Sequence, residues 1–303
     1  LESIPLFWKN SLAEIDSELQ KVRRGQVEVL GQSAGGRDIF LVTYGGRSEL
    51  EHRANYNSAC GAGDPHHYAR KGLDQRPVVL IVGGIHGGEL EGVTAVLNLI
   101  RVLETGEDYR GSRYDELMEL HQRFRLLLIP CMNPDGRARV PLRSLAGLSM
   151  DQMRYYMQGT WKDGSLCEWP ACKAVHPIRD HVSFLGSYFN DDGINLMHDN
   201  FFRPMAEETK SLMALVDRQA VDASVLLHGG GNCTNLIMPL RYAPKYIQKQ
   251  QHEFAVRLKE ASFSKGLKFA VRRFEEEDGS AYPPPAFNLT SALHHLSGGL
   301  SMT

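Results

Sequence analysis

Three short, nearly unbroken apolar runs constrain this chain most: Val78–Val82, Phe124–Ile129 and Ala223–Leu227. Each has the length of a strand, and none alternates between apolar and polar. A strand wetted on one face would alternate, so these runs predict strands covered on both faces. Between the first two, Val93, Val96, Leu97, Ile100 and Leu103 recur every three or four residues, which gives a helix one buried stripe. Further helices are expected over Ser11–Val22, Met205–Val216 and Tyr246–Phe263. Shorter strands are expected at Val27–Leu30 and Asp38–Thr43, separated by Ser33-Ala34-Gly35-Gly36, with weaker candidates at Lys268–Phe274 and Leu300–Thr303. Asn55–Asp74 is polar and rich in Gly and His and reads as an exposed loop. Strands alternating with helices predict an α/β fold. We expect a single domain over residues 1–303, with a central mixed, largely parallel twisted sheet covered by helices on both faces.

The chain has 303 residues, 42% of them hydrophobic, enough for one large core. Lys and Arg total 34 against 36 for Asp and Glu, and the basic residues do not cluster, which argues against a nucleic-acid partner. No stretch approaches the roughly 20 apolar residues that span a bilayer. Five cysteines (Cys60, Cys131, Cys167, Cys172, Cys233) are too few and too odd in number for a disulfide framework, although Cys167 and Cys172 could pair in an oxidising compartment. The chain opens on Leu without a charged-then-apolar leader. Either a leader has been removed or the chain begins here, and the lean is towards an exported protein, periplasmic or extracellular.

Chemistry gathers where loops leave the ends of such a sheet. After the Val78–Val82 strand comes His86-Gly87-Gly88-Glu89, where i, i+3 spacing on an opening helical turn would aim both side chains at one site. Taken alone, Glu89 is better read as a first-turn carboxylate facing the helix dipole. His228 ends the third strand and precedes Gly229-Gly230-Gly231. Alone it is better read as a core histidine, and the absence of a following Lys-Ser or Lys-Thr excludes a phosphate loop. Together, two imidazoles and a carboxylate at two strand ends form a catalytic zinc set, with water as fourth ligand. His86, Glu89 and His228 are therefore the expected ligands of one Zn²⁺, although other divalent ions suit such donors.

Four motifs in order resemble the zinc metallocarboxypeptidases, the carboxypeptidase A-like peptidases. Gly31-Gln32-Ser33-Ala34-Gly35-Gly36-Arg37-Asp38-Ile39 looks like the early G-x-S-x-x-G-R-x-I segment. His86-Gly87-Gly88-Glu89 matches the paired ligands, Asn133-Pro134-Asp135-Gly136 the N-P-D-G turn, and His228 the last ligand. The resemblance covers nearly the whole chain and implies release of a C-terminal residue from a peptide. It implies a zinc-polarised carbonyl and water, a glutamate as general base, and arginines for the oxyanion and terminal carboxylate. It also implies a mobile tyrosine, for which Tyr282 stands near the expected place; a solvated loop aromatic is the other reading.

The departures carry information. Gly193-Ile194-Asn195-Leu196-Met197-His198-Asp199 stands where the family has G-V-D-x-N-R-N. Met197 and His198 therefore occupy the substrate-binding positions of Asn and Arg, and histidine is a weaker, pH-dependent cation. Asn195 replaces the aspartate that orients the first zinc histidine. Lys162 and Arg137 are candidates for the oxyanion cation, or else ordinary surface cations. The general-base glutamate is expected one or two residues beyond Thr303, with a final helix after it. Glu275-Glu276-Glu277-Asp278 reads instead as a solvated loop. Related readings are an N-acyl amino acid amidohydrolase, like aspartoacylases and succinylglutamate desuccinylases, or a cell-wall peptide hydrolase. A zinc-binding protein of the same fold without catalysis comes third.

Overall fold

The structure, a computed structural model, describes residues 5–72, 75–229, 237–238, 240–267 and 286–303. Helix α1 (Leu12–Leu19) opens on a capping box in which the Ser11 hydroxyl and the Glu14 carboxylate satisfy each other's backbone N–H. A hairpin follows, β1 (Gln26–Gln32) and β2 (Asp38–Tyr44), paired antiparallel. The expected loop over Asn55–Asp74 instead contains a short helix, α2 (Tyr56–Gly61), and a 3₁₀ turn, Pro65–His67. The physical reason is capping. The Asn55 side chain accepts from the Ser58 N–H and Asp64 from the His66 N–H, so the polar residues start helices rather than loops.

Strand β3 (Val78–Val82) feeds α3 (Leu90–Thr105), which stops at Gly106 with φ +76°. Two single turns, α4 (Asp115–Met118) and α5 (Leu120–Arg123), lead into β4 (Arg125–Ile129). Helix α6 (Pro134–Arg139) and α7 (Met150–Gln158) precede a two-stranded ribbon, β5 (Gly159–Trp161) and β6 (Val182–Leu185). Then come α8 (Glu207–Gln219), β7 (Ala223–Leu226), α9 (Lys245–Ser264), α10 (Leu289–Ser297) and β8 (Leu300–Met302). The Lys268–Phe274 candidate lies outside the described residues.

The main sheet has the order β1-β2-β4-β3-β7-β8. Its β4, β3, β7 and β8 run parallel, and the β1–β2 hairpin joins antiparallel through β2. It is the expected mixed sheet. Side chains alternate between two cores. Ile39, Leu41, Leu80, Val82, Leu127 and Ile129 pack on α8 and α10, while Val42, Tyr44, Leu126 and Leu128 pack on α3 and α1. Both faces being covered is why the runs read as unbroken apolar sequence.

Two of the motifs form one structural lock. The Ser33 hydroxyl donates to Asp135 Oδ1 at 2.5 Å, Arg37 Nη1 donates to the same oxygen at 2.7 Å, and the Gly35 and Asp191 N–H groups donate to Oδ2 at 2.9 and 3.0 Å. Burial alone would raise the Asp135 pKa, but these four donors outweigh it and hold the carboxyl below its ordinary range. The turn between β1 and β2 is thereby fastened to α6, and through it to the ends of β3 and β4. Elsewhere, Cys167 and Cys172 sit buried in one apolar cluster with Ile178 and Phe189, and both are free thiols.

Candidate metal centre

The parallel strands β3, β4 and β7 end on the same edge of the sheet, and β3 is tied to each of its two neighbours by one more ladder bond. Gly83 N–H donates to Ile129 O and Leu227 N–H to Val82 O, both at 2.8 Å. His86 and His228 follow directly. Gly84 takes φ +57°, turning the chain back over the sheet edge. At Gly87 a side chain has no room: a Cβ there would lie 2.1 Å from Arg137 N, and the Gly87 N–H donates to Ser187 O at 2.9 Å. The His86–Glu89 segment is thus pinned between α6 and the turn that follows β6.

His86 and Glu89 precede α3 instead of sharing its first turn. The Glu89 N–H donates to His86 O at 3.0 Å, closing a tight turn that faces the two side chains together. Glu89 stands at the N-cap of α3 but makes no capping bond. Its carboxylate turns to His86 instead, with Oε1 2.8 Å from Nδ1. His228 comes from the other strand end, its ring centroid 5.1 Å from that of His86. Ligand-capable atoms of His86, Glu89 and His228 all lie within 4.8 Å of one another. The three residues that the sequence singled out, spread over more than 140 positions, are brought together.

Their hydrogen bonds fit a divalent cation. Asn195 Oδ1 accepts from the Met197 N–H at 3.0 Å, which fixes the amide's orientation, and it lies 3.1 Å from His86 Nε2. Nε2 must therefore carry the ring proton, so Nδ1 presents a lone pair to the Glu89 carboxylate. Lone pair against carboxylate is repulsive unless a proton or a metal ion lies between them. Glu89 Oε2 is also buried, without a hydrogen-bond partner among the described residues. The His228 Nδ1 lies 3.2 Å from Leu226 O, and donation there leaves its Nε2 free as a ligand. Burial, with neighbouring Glu91 adding to it and His228 and the Gly229 N–H opposing, lifts the Glu89 carboxyl to about 7. Burial lowers His86 to about 3, against the help of Asn195 and with Lys173 adding to the fall. It lowers His228 as well, opposed by Glu89. Two neutral imidazoles and a desolvated carboxylate with a vacant oxygen are the donor set of a Zn²⁺ site.

The remaining candidates are placed as follows. Asn195 abuts His86 as described, and its own amide nitrogen is buried without a partner among the described residues. Met197 is 5% exposed and belongs to the core packed against α8, because the Leu196–His198 3₁₀ turn directs both its apolar residues inward. It is a packing residue, which corrects its expected placement on the substrate. His198 stays half-buried against Trp169, with ring centroids 6.0 Å apart. Burial first, then Lys173, His86, His176 and His228, push it down to about 3. Arg137 is 5% exposed and donates from Nη2 to Leu142 O at 2.7 Å. Its charged surroundings are Cys131, Arg143 and Glu14, not the clustered ligands. Lys162 is exposed beyond β5, and among the described residues its side chain makes no hydrogen bond or ion pair. Tyr282 and Glu275–Asp278 lie outside the described residues.

The wall beside the cluster carried no sequence signal. Tyr188 packs edge-on to His86 at 4.3 Å between centroids, and Trp169 lies 5.4 Å from Tyr188. His176 Nε2 accepts from the Asn195 N–H at 2.9 Å. These residues lie on the excursion through the β5–β6 ribbon, where neither spacing nor motif marks them.

Solved structures share this fold at low identity. The metallo-carboxypeptidase of Burkholderia cenocepacia is 18% identical with a TM-score of 0.59, covering 97% of this chain and 59% of its own. Carboxypeptidase A of Helicoverpa armigera is 14% identical with a TM-score of 0.54, covering 96% and 63%. The metallo-carboxypeptidase of Pseudomonas aeruginosa is 17% identical with a TM-score of 0.52, covering 95% and 56%. The chain spans about three fifths of the length of these proteins. No curated protein sequence matches it. Matched from residue 17 to residue 298 by the model of that family, the chain belongs to the zinc carboxypeptidases.

Proposed function

We propose that this chain hydrolyses amide bonds with one zinc ion held by His86, Glu89 and His228, and that its reaction is release of a C-terminal residue from a peptide. The observation that carries the reading is the convergence of the buried Glu89 carboxylate, one oxygen of which has no partner among the described residues, on two imidazoles whose outer nitrogens are engaged elsewhere. Bound there, zinc would supply a Lewis acid for the scissile carbonyl and a water of lowered pKa. The chain's own residues do the positioning. Asn195 holds the His86 tautomer, the Leu226 carbonyl holds His228, and Tyr188 closes one side.

The general base in this reading is a glutamate continuing β8. The register supports it: Met302 lies beside Val225 in a parallel pair, so Thr303 comes level with Leu226, and positions continuing that strand would come level with Leu227 and His228. The test is turnover by the zinc-loaded protein of a blocked peptide with a free C-terminus, a muropeptide and an N-acyl amino acid. The reading expects the first to be cleaved fastest and a chelator to stop it. Preference for the N-acyl amino acid would replace it with the amidohydrolase reading, and hydrolysis that survives metal removal would end it.

A further inference from the structure

A cation stands beside the candidate metal centre, and among the described residues no acid pairs with it. Lys173 lies on the Ala171–Ala174 turn, and its ammonium sits 3.9 Å from the centre of the Trp169 ring. Among the described residues, its side chain forms no ion pair and no hydrogen bond. The nearby acid of that segment, Glu168, is 3.4 Å from Arg154. An exposed lysine normally wanders, but this one is held over an indole, which fixes the charge in place.

Ring contacts connect that charge to the metal ligands. From His228 the path runs to His86 at 5.1 Å, to Tyr188 at 4.3 Å and to Trp169 at 5.4 Å, with His198 branching from Trp169 at 6.0 Å. Lys173 caps the path. The wall is therefore aromatic and apolar with one fixed positive charge at its outer end. Trp169 keeps 38% of its surface exposed, so the wall is open to a ligand. The positions that the sequence suggested for recognition do not supply this charge, because Met197 is in the core.

We infer that Lys173, clamped on Trp169, is the specificity-determining cation of this site and that it takes a carboxylate of the substrate. The inference rests on the proposed hydrolysis and deepens it. A carboxylate bound by Lys173 would lay the neighbouring apolar part of the substrate along Trp169 and Tyr188, with the scissile bond turned towards His86 and His228. The charge lies on the outer end of the wall, where a substrate with a free acid would be steered in from solvent.

The experiment compares the zinc-loaded protein with Lys173→Gln and Lys173→Glu, on one blocked peptide ending in a free α-carboxylate, in an amide, or in an amide with a glutamate side chain. Zinc content and near-ultraviolet circular dichroism serve as folding controls. The inference expects Lys173→Gln to lose about 10-fold or more in kcat/KM on the free acid, mostly through KM, and to change little on the plain amide. Lys173→Glu would lose more on the free acid and gain on a peptide ending in a cationic amide. Loss on the glutamate amide in place of the free acid would assign the side-chain carboxylate rather than the terminal one. Equal kcat/KM in wild type and both variants on every acid would overturn the inference. Should wild-type protein with full zinc cleave nothing, the proposed hydrolysis falls, and Lys173 is then judged by binding. Trp169-dependent fluorescence would report N-acetylphenylalanine bound at least about 10-fold more weakly by Lys173→Gln than by wild type, and equal binding would refute the role.

Discussion

His86 is committed at its outer nitrogen before any ion arrives. Asn195 Oδ1 accepts a hydrogen bond from Nε2, while the amide nitrogen of the same side chain is buried with no acceptor among the described residues. An aspartate there would keep the acceptor, remove the orphaned donor and add charge that raises the basicity of the ring. Asn195→Asp is therefore expected to bind zinc about 10-fold more tightly, measured by competition with a chromophoric chelator. Unchanged or weaker binding would mean that Asn195 does not tune the ring. At this scale the sequence was legible where chemistry is written in spacing: His86, Glu89 and His228 stand at strand ends beside glycines. Trp169, Lys173 and Tyr188 were not legible. They reach the site through the path of an irregular excursion, and no local pattern records that path.

The strands show the same division at the level of elements. Val78–Val82 and Ala223–Leu226 were readable because burial on both faces leaves no alternation. Helix α10 was missed although Asn288 caps it and Gly298 ends it at φ +72°. Only nine residues long, it follows a proline-rich stretch and takes its stability from packing on α8 and β8. The Asp135 lock joins elements that sequence order keeps about a hundred residues apart. Breaking it with Asp135→Asn should cost about 3 kcal/mol near neutral pH, read by urea unfolding. Because the folded carboxyl lies below its unfolded value, the stabilisation is full above the unfolded pKa and fades as pH falls through the folded one. The gap between wild type and variant should thus close in acid; a gap independent of pH would contradict the linkage. Gly87→Ala presses a methyl group against the Arg137 N–H, and overpacking there should cost about 2 kcal/mol while displacing His86. Thermal unfolding and zinc affinity should both fall, and a fall in neither would show that the contact yields freely.

For the molecule as a whole, the sheet carries three strand ends to one edge, so the centre is preformed by the fold and not assembled by the ion. Zinc should then stabilise a chain that is already folded, by about 4 kcal/mol when free zinc exceeds its Kd a thousandfold. A chelator should lower the unfolding temperature without abolishing the cooperative transition. A chain that unfolds on chelation would indicate that the metal builds the site. The family and the architecture were legible because they rest on long-range order among several motifs. Substrate choice was not, since Met197 turned inward and the cation of the aromatic wall, Lys173, came from a different loop.

Zinc stoichiometry tests the centre most directly. Equilibrium dialysis followed by metal analysis should give one tightly bound ion per wild-type chain. It should give none under the same conditions for His86→Ala, Glu89→Ala or His228→Ala while each variant keeps its fold. Full retention of zinc in His228→Ala would contradict the account, because the two strand ends would then not share an ion.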